Sequence, residues 1–379
     1  MRGIIVLIFI LFSSMGFAQM ENSRLSDIYL KDAFNGKFCI GTALNSSQIW
    51  ERNKPAIEVI KTHFNSIVAE NCMKSGPIQP REGEFNFEEA DKFVEFGEQN
   101  NMFIIGHTLI WHSQTPEWFF IDKDGNDVSR EVLIERMKKH ISTVVGRYKG
   151  RVQGWDVLNE AVLDNGKLRD SKFLQIIGKD YIRLAFEFAH EADPDAELYY
   201  NDYSMFIPDK REGVISMIKE LKSQNIRVDG IGMQGHLDVD HPSLELYEKA
   251  IIRYSELGVN VMITELDISP LPSPWGNAGA EVSLNYEYQK KMNPYPNGLP
   301  DDIAKKLQNR YTDLFGLFLK HHDKISRVTL WGVGDGDSWR NNWPIEGRTD
   351  YPLLFDREYK AKSTVRAITG LAKSYSDNE

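Results

Sequence analysis

Two glutamates stand where chemistry is easiest to place. Glu160 closes the hydrophobic run WDVLNEAV, and Glu265 lies in VMITELDI. A carboxyl at the end of an apolar strand is poorly solvated, so it either pairs with an Arg or Lys or serves a reaction. Two such groups suit hydrolysis of a glycosidic bond, in which one carboxyl protonates the departing oxygen and the other meets the developing oxocarbenium ion. The neighbours divide the roles. Asn159 precedes Glu160 and offers an amide to a sugar hydroxyl, while the apolar Trp155 and Val162 favour Glu160 as the group that holds the proton. Gln234 and His236 end the strand before that of Glu265, where they can orient it, and Asp267 can in turn hold the ring of His236. A carboxylate ringed by donors stays ionised, as a nucleophile must.

The elements that would position these groups are legible as an alternation. Apolar runs predict strands at 38–41, 66–70, 103–107, 153–160, 197–202, 230–236, 259–267 and 327–332. Amphipathic stretches between and after them predict helices, among them 87–100, 130–148, 171–191, 209–221, 244–257, 300–321 and 361–374. Eight strands, each followed by a helix, predict an α/β fold of the (β/α)₈ TIM barrel type in a single domain. A doubly wound sheet shares the alternation but calls for a G-x-G-x-x-G turn, which the chain lacks. Most of the runs end in a polar or aromatic side chain: Glu70 and Asn71, His107, Asn159 and Glu160, Asn201 and Asp202, Gln234 and His236, Glu265 and Asp267, then Trp331. In a barrel these C-terminal strand ends meet at one mouth. Glu160 and Glu265 then sit on the fourth and seventh strands. The long stretch 270–299, rich in Pro, Gly and Asn, is expected to form a wall of the cleft.

Residues 1–18 have the charged start, apolar run and small-residue end of a secretory signal peptide, with 19–379 as the catalytic domain. Export to a secreted or periplasmic location is expected. The apolar run is too short to span a bilayer comfortably, so no membrane association is expected once it is removed. A net charge of −10 argues against nucleic acid as partner. Cys39 and Cys72 are too few for a disulfide framework and read as small buried thiols rather than a bridge.

Several ordered blocks carry a family likeness: AENCMK (69–74), GHTLIWHSQTPEW (106–118), WDVLNEA (155–161), YYNDY (199–203), GMQGH (232–236), ITELDI (263–268), TLWGVGDGDSWR (329–340) and GRTDYPLLFD (347–356). With these the chain resembles the glycoside hydrolase family 10 endo-β-1,4-xylanases over nearly its whole mature length. The resemblance implies a cofactor-free, metal-free retaining endo-xylanase, with Glu160 as acid/base and Glu265 as nucleophile. It further implies that Glu70, Asn71 and Lys74 hold the sugar in the −2 site. His107, Trp111, Asn159, Gln234, His236, Trp331 and Trp339 would surround the −1 sugar, with Gln114 reaching between the sites. Tyr203 matches a tyrosine on the aglycone side, and Trp339 is placed to crowd out a hydroxymethyl group. The implied partner is xylan or a xylo-oligosaccharide, met by a monomer. Ser75 departs from the family, many of whose members carry Trp there.

Other readings of these residues are plainer. A lone histidine or tryptophan is usually a core residue; His112 and Trp118 are assigned to packing on that ground. Glu70 and Lys74 could be a surface pair. Asp335 and Asp337 read as a turn rather than a calcium loop. A cellulase or mannanase on the same barrel is the nearest alternative function. A metal-dependent barrel hydrolase is a further one, although it usually shows H-x-H on the first strand, which here ends in Gly41–Thr42.

Overall fold

The computed structural model describes residues 29–273 and 290–377. The expected signal peptide and the middle of the 270–299 stretch lie outside the described residues. Strands β1 (Cys39–Leu44), β2 (Ser66–Ala69), β3 (Phe103–Trp111), β4 (Gly154–Asn159), β5 (Glu197–Asp202) and β6 (Gly230–Met233) pair in sequence order, each parallel to the next. β8 (Asn260–Ser269) and β9 (Ile325–Leu330) continue the ring, with β9 pairing to β1 and β6 to β8. The result is a closed barrel of eight parallel strands. A short β7 (His236–Asp238) pairs with the outer end of β8 alone.

The strands are apolar on both faces because both are covered. Every residue of β2 and β4 is buried. Inside the barrel, Ala43, Val68, Ile105, Tyr199, Met262 and Trp331 pack as one layer. The Arg327 guanidinium lies among them, 5.5 and 5.3 Å from the centres of the Phe103 and Tyr199 rings. Outside, a much larger apolar layer joins the strands to the helices. The helix Asp180–Ala192 buries Tyr181, Ile182, Ala185, Phe186, Phe188 and Ala189, a single stripe at helical spacing.

Three expectations need adjustment. The helix expected over 171–191 is two, Lys172–Ile177 and Asp180–Ala192, because Gly178 takes a positive φ between them. β3 runs four residues beyond His107, since Thr108, Leu109 and Ile110 are buried as well. The sixth strand stops at Met233, and Gln234 and Gly235 turn the chain before β7 begins. Cys72 is buried and Cys39 only half-buried, because Cys39 opens its strand at the edge of the core; both are free thiols. The described ends of the 270–299 stretch are pinned to the segment after β9. Asn293 donates to the Gly347 carbonyl, and Tyr351 donates to that of Tyr295.

Candidate active site

The C-terminal ends of β4 and β8 bring Glu160 and Glu265 to one mouth, joined by a net of side-chain amides. Asn201, at the end of β5, donates through one nitrogen to Glu265 Oε1 (2.8 Å) and to Asn159 Oδ1 (3.0 Å). Gln234 Nε2 donates to Glu160 Oε1 at 3.1 Å and reaches Asn159 Oδ1 at 3.4 Å. Asn201 is itself oriented by Thr264, whose hydroxyl donates to Asn201 Oδ1 at 2.6 Å. Gly232 makes room for that amide, since a Cβ there would lie 2.4 Å from Asn201 Oδ1.

The two carboxyls differ in surroundings. The Glu265 side chain is 6% exposed, with its backbone N–H on the Gln234 carbonyl. Burial alone would raise its pKa. The hydrogen bond from His236, the fields of His107 and His236, and the bond from Asn201 outweigh burial and hold Glu265 below the usual carboxylate range. His236 places Nε2 3.1 Å from Glu265 Oε2 and Nδ1 2.9 Å from Asp267 Oδ2. With a carboxylate oxygen on each side, both nitrogens must donate, which defines an imidazolium. Burial works against that charge, but Asp267 and Glu265 together raise the pKa to about 9. Asp267 is fully enclosed and also accepts from Trp339 Nε1 (2.9 Å) and Arg340 Nε (2.8 Å).

Glu160 is more open, with 14% of its side chain exposed. Trp111 Nε1 donates to its Oε2 at 2.9 Å. Its backbone has φ = 57°, a left-handed conformation uncommon for a residue with a side chain. On the neighbouring strand, His107 Nδ1 lies 2.9 Å from Asp156 Oδ2 of β4, both groups buried, and its ring makes an edge-on contact with Trp331. Lys74 is buried, bonds Asn71 Oδ1 at 3.0 Å and lies 5.1 Å from the Trp111 ring centre. Burial lowers its pKa against the opposing fields of Glu265, Glu70 and Glu160, which places it at the same mouth. Glu70 has its pKa raised, chiefly by burial. Lys74 and Glu70 are therefore not a solvated surface pair.

Several buried donors, an anionic carboxylate and a second, partly exposed carboxyl can bind a polyol and split an acetal. The comparisons with known proteins agree. Residues 29–371 match the description of glycosyl hydrolase family 10. The chain belongs to that family. It is 52% identical over 342 residues to an endo-1,4-β-xylanase A of Xylanibacter ruminicola, covering 90% of this chain and 93% of that protein. Among solved structures it is similar to a family 10 endoxylanase retrieved from a sugarcane soil metagenome, with TM-score 0.85, 46% identity, and 91% and 99% of the two chains covered. Xylanase XynB from Paenibacillus barcinonensis, complexed with a conduramine derivative, superposes with TM-score 0.81 at 39% identity over 90% and 98% of the chains.

The remaining expected residues lie further out. Gln114 is exposed at the rim, where its carbonyl accepts from Gly76 N at 3.0 Å. Tyr203 is half-buried and is linked to Glu160 through Arg169. Trp339 and His236 have ring centres 5.2 Å apart. Ser75, in place of the bulky residue many family members have, donates to the Leu109 carbonyl at 3.1 Å. Trp118 packs on Phe119. Asp335–Asp337 forms a short 3-10 turn, with Asp335 on Lys362 and Asp337 accepting from Asn45 and Gln48.

The expectation for His112 is corrected. Its side chain is 28% exposed and Nδ1 stands 4.0 Å from Glu160 Oε2, because the strand places it one residue past Trp111 at the open rim rather than in the core. Asp156, Asn201, Thr264, Arg169 and Arg340 took no assigned role from sequence. Asp156 carried a usable signal, a carboxylate inside an apolar strand, and Asn201 was already visible at a strand end. Arg169 and Arg340 carried none.

Proposed function

We propose that this chain is an endo-β-1,4-xylanase that cuts internal bonds of xylan with retention, using Glu265 as nucleophile and Glu160 as acid/base. The carrying observation is the contrast between the two carboxyls. Glu265 is enclosed and kept anionic by a cationic His236, whereas Glu160 is partly exposed, where it can hand its proton to a leaving oxygen and later meet an incoming water. Attack by Glu265 on the anomeric carbon forms a glycosyl-enzyme ester as the glycosidic C–O bond breaks and Glu160 gives its proton to the departing oxygen. Water, deprotonated by Glu160, then releases the sugar with its original configuration. Asn159, Gln234, His236, His107, Trp111, Trp331 and Trp339 are proposed to hold the −1 sugar, Glu70, Asn71 and Lys74 the −2 sugar, with Gln114 between these sites and Tyr203 on the acceptor side. Relatives that bear the name endo-1,4-β-xylanase support the choice of xylan.

Two variants test the roles. Glu265→Ala should abolish turnover, with azide restoring activity and giving the inverted product by NMR. Glu160→Ala should lose xylan cleavage by about 10²-fold or more while sparing kcat/KM for a dinitrophenyl glycoside, whose leaving group needs no proton. Exchange of the two phenotypes would reverse the assignment. Equal turnover of xylan, carboxymethyl-cellulose and mannan by the wild type would defeat the substrate assignment. We further propose that residues 1–18 direct export and that the mature enzyme acts as a monomer. Among the described residues no helix is long and apolar enough to cross a membrane.

A further inference from the structure

We infer that Arg169 is a positioning residue that holds the Glu160 backbone in its left-handed conformation and ties it to Tyr203. The inference rests on the reading of Glu160 as acid/base. A residue with a side chain at φ = 57° costs roughly 1–3 kcal/mol and persists only where its surroundings impose it. At Glu160 both ends of the residue are held. Its N–H donates to the Asn201 carbonyl at 2.9 Å, and its carbonyl accepts from Arg169 Nε at 2.8 Å. The first bond joins two neighbouring strands, as any sheet would. The second comes from a side chain nine residues on, and it meets the carbonyl that the positive φ has turned out of the sheet.

Arg169 can do this because its loop is seated firmly. After Glu160 the chain makes a narrow hairpin in which Val162 bridges Leu168 and Arg169 N donates to the Ala161 carbonyl at 2.8 Å. At its tip Gly166 has φ = 77° and lies against the helix Pro208–Ser223 so closely that a Cβ would fall 2.5 Å from the Asp209 carbonyl oxygen. The same helix supplies Lys210, wholly buried, which pairs with Asp202 at 2.8 Å and lies 3.5 Å from the centre of the Tyr203 ring. The other arm of Arg169 closes the circuit, with Nη2 donating to the Tyr203 hydroxyl at 2.7 Å. Among the described residues Arg169 forms no ion pair with a carboxylate. Its planar fork instead serves two neutral acceptors, the Glu160 carbonyl and the Tyr203 hydroxyl. Contact of an acceptor sugar with Tyr203 would thereby be transmitted to the backbone that aims the acid.

The test compares Arg169→Met and Arg169→Lys with Glu160→Ala on two substrates, a xylo-oligosaccharide and a dinitrophenyl glycoside. Arg169→Met is expected to lower kcat on the oligosaccharide by about tenfold to a hundredfold, the size of a small misplacement of a reacting group. KM should change less, and kcat/KM on the dinitrophenyl glycoside should stay within about twofold, which also shows that the variant is folded. Arg169→Lys keeps the charge but can reach only one acceptor, so it should fall between Met and wild type. An equal loss on both substrates, or none on the oligosaccharide, would overturn the role of Arg169. If Glu160→Ala itself failed to discriminate between the substrates, the acid/base reading would fall first.

Discussion

His236 shows how few groups set the character of a buried carboxyl. Its ring lies between two carboxylates, so its pKa rises from an ordinary 6.5 to about 9. A raised pKa means that the folded chain binds this proton more tightly than the unfolded chain. The resulting stability is fully present below the unfolded value of about 6.5 and is lost as pH rises through about 9. A shift of that size corresponds to roughly 3 kcal/mol. Nitrogen NMR should therefore find the His236 ring doubly protonated at pH 7.5, and denaturant unfolding should show stability falling towards pH 9.5. Asp267→Asn should flatten that alkaline fall. A neutral ring at pH 7.5 would remove the support for an anionic Glu265. At this scale the sequence was informative about identities and, one pair apart, silent about partners. The pairing of His236 with Asp267 was legible from their places on adjoining strands. Arg340, which also meets Asp267, lies 73 residues away on a loop, and nothing local marks it.

Strands deliver these side chains, and irregularities in the strands aim them. The register of β8 against β9 shifts between Ile263 and Leu266, so Thr264 and Glu265 fall within the irregular stretch. A similar shift separates His107 from Ile110 on β3. Bulges of this kind re-aim side chains beside active sites. They were not legible in the sequence, because hydrophobic alternation reports which residues are buried and not how two strands slip against each other. One glycine tests the element scale. In Gly232→Ala the new methyl would press on Asn201, which cannot move without releasing Glu265 and Asn159. We expect kcat to fall tenfold or more, roughly, and stability to fall by about 1–3 kcal/mol. Steady-state kinetics with denaturant titration measures both, and a wild-type kcat would show that Asn201 does not need its present place.

The whole molecule is a barrel whose closure converts distant runs of sequence into one mouth. Around its outside, ion pairs such as Arg147–Asp91, between two helices, and Arg151–Glu98, between a turn and a helix, are partly solvated and contribute little beside the two apolar layers. Export belongs to this scale too. If residues 1–18 are a cleaved leader, the mass of the mature protein recovered from its natural host should correspond to a chain beginning at Gln19; a mass that includes them would end that proposal. The sequence by itself determined the alternation of strands and helices, the closed barrel class and the family, because burial period, segment count and ordered motif blocks are properties of the linear chain. It also marked the two glutamates, since a carboxyl ending an apolar run stands out without coordinates. Only the tertiary structure decided which donors meet which carboxyl, that His112 faces the rim, and that Arg169 grips Glu160. Those facts depend on strand register, loop seating and left-handed backbone, all of which arise from contacts between segments far apart in the chain.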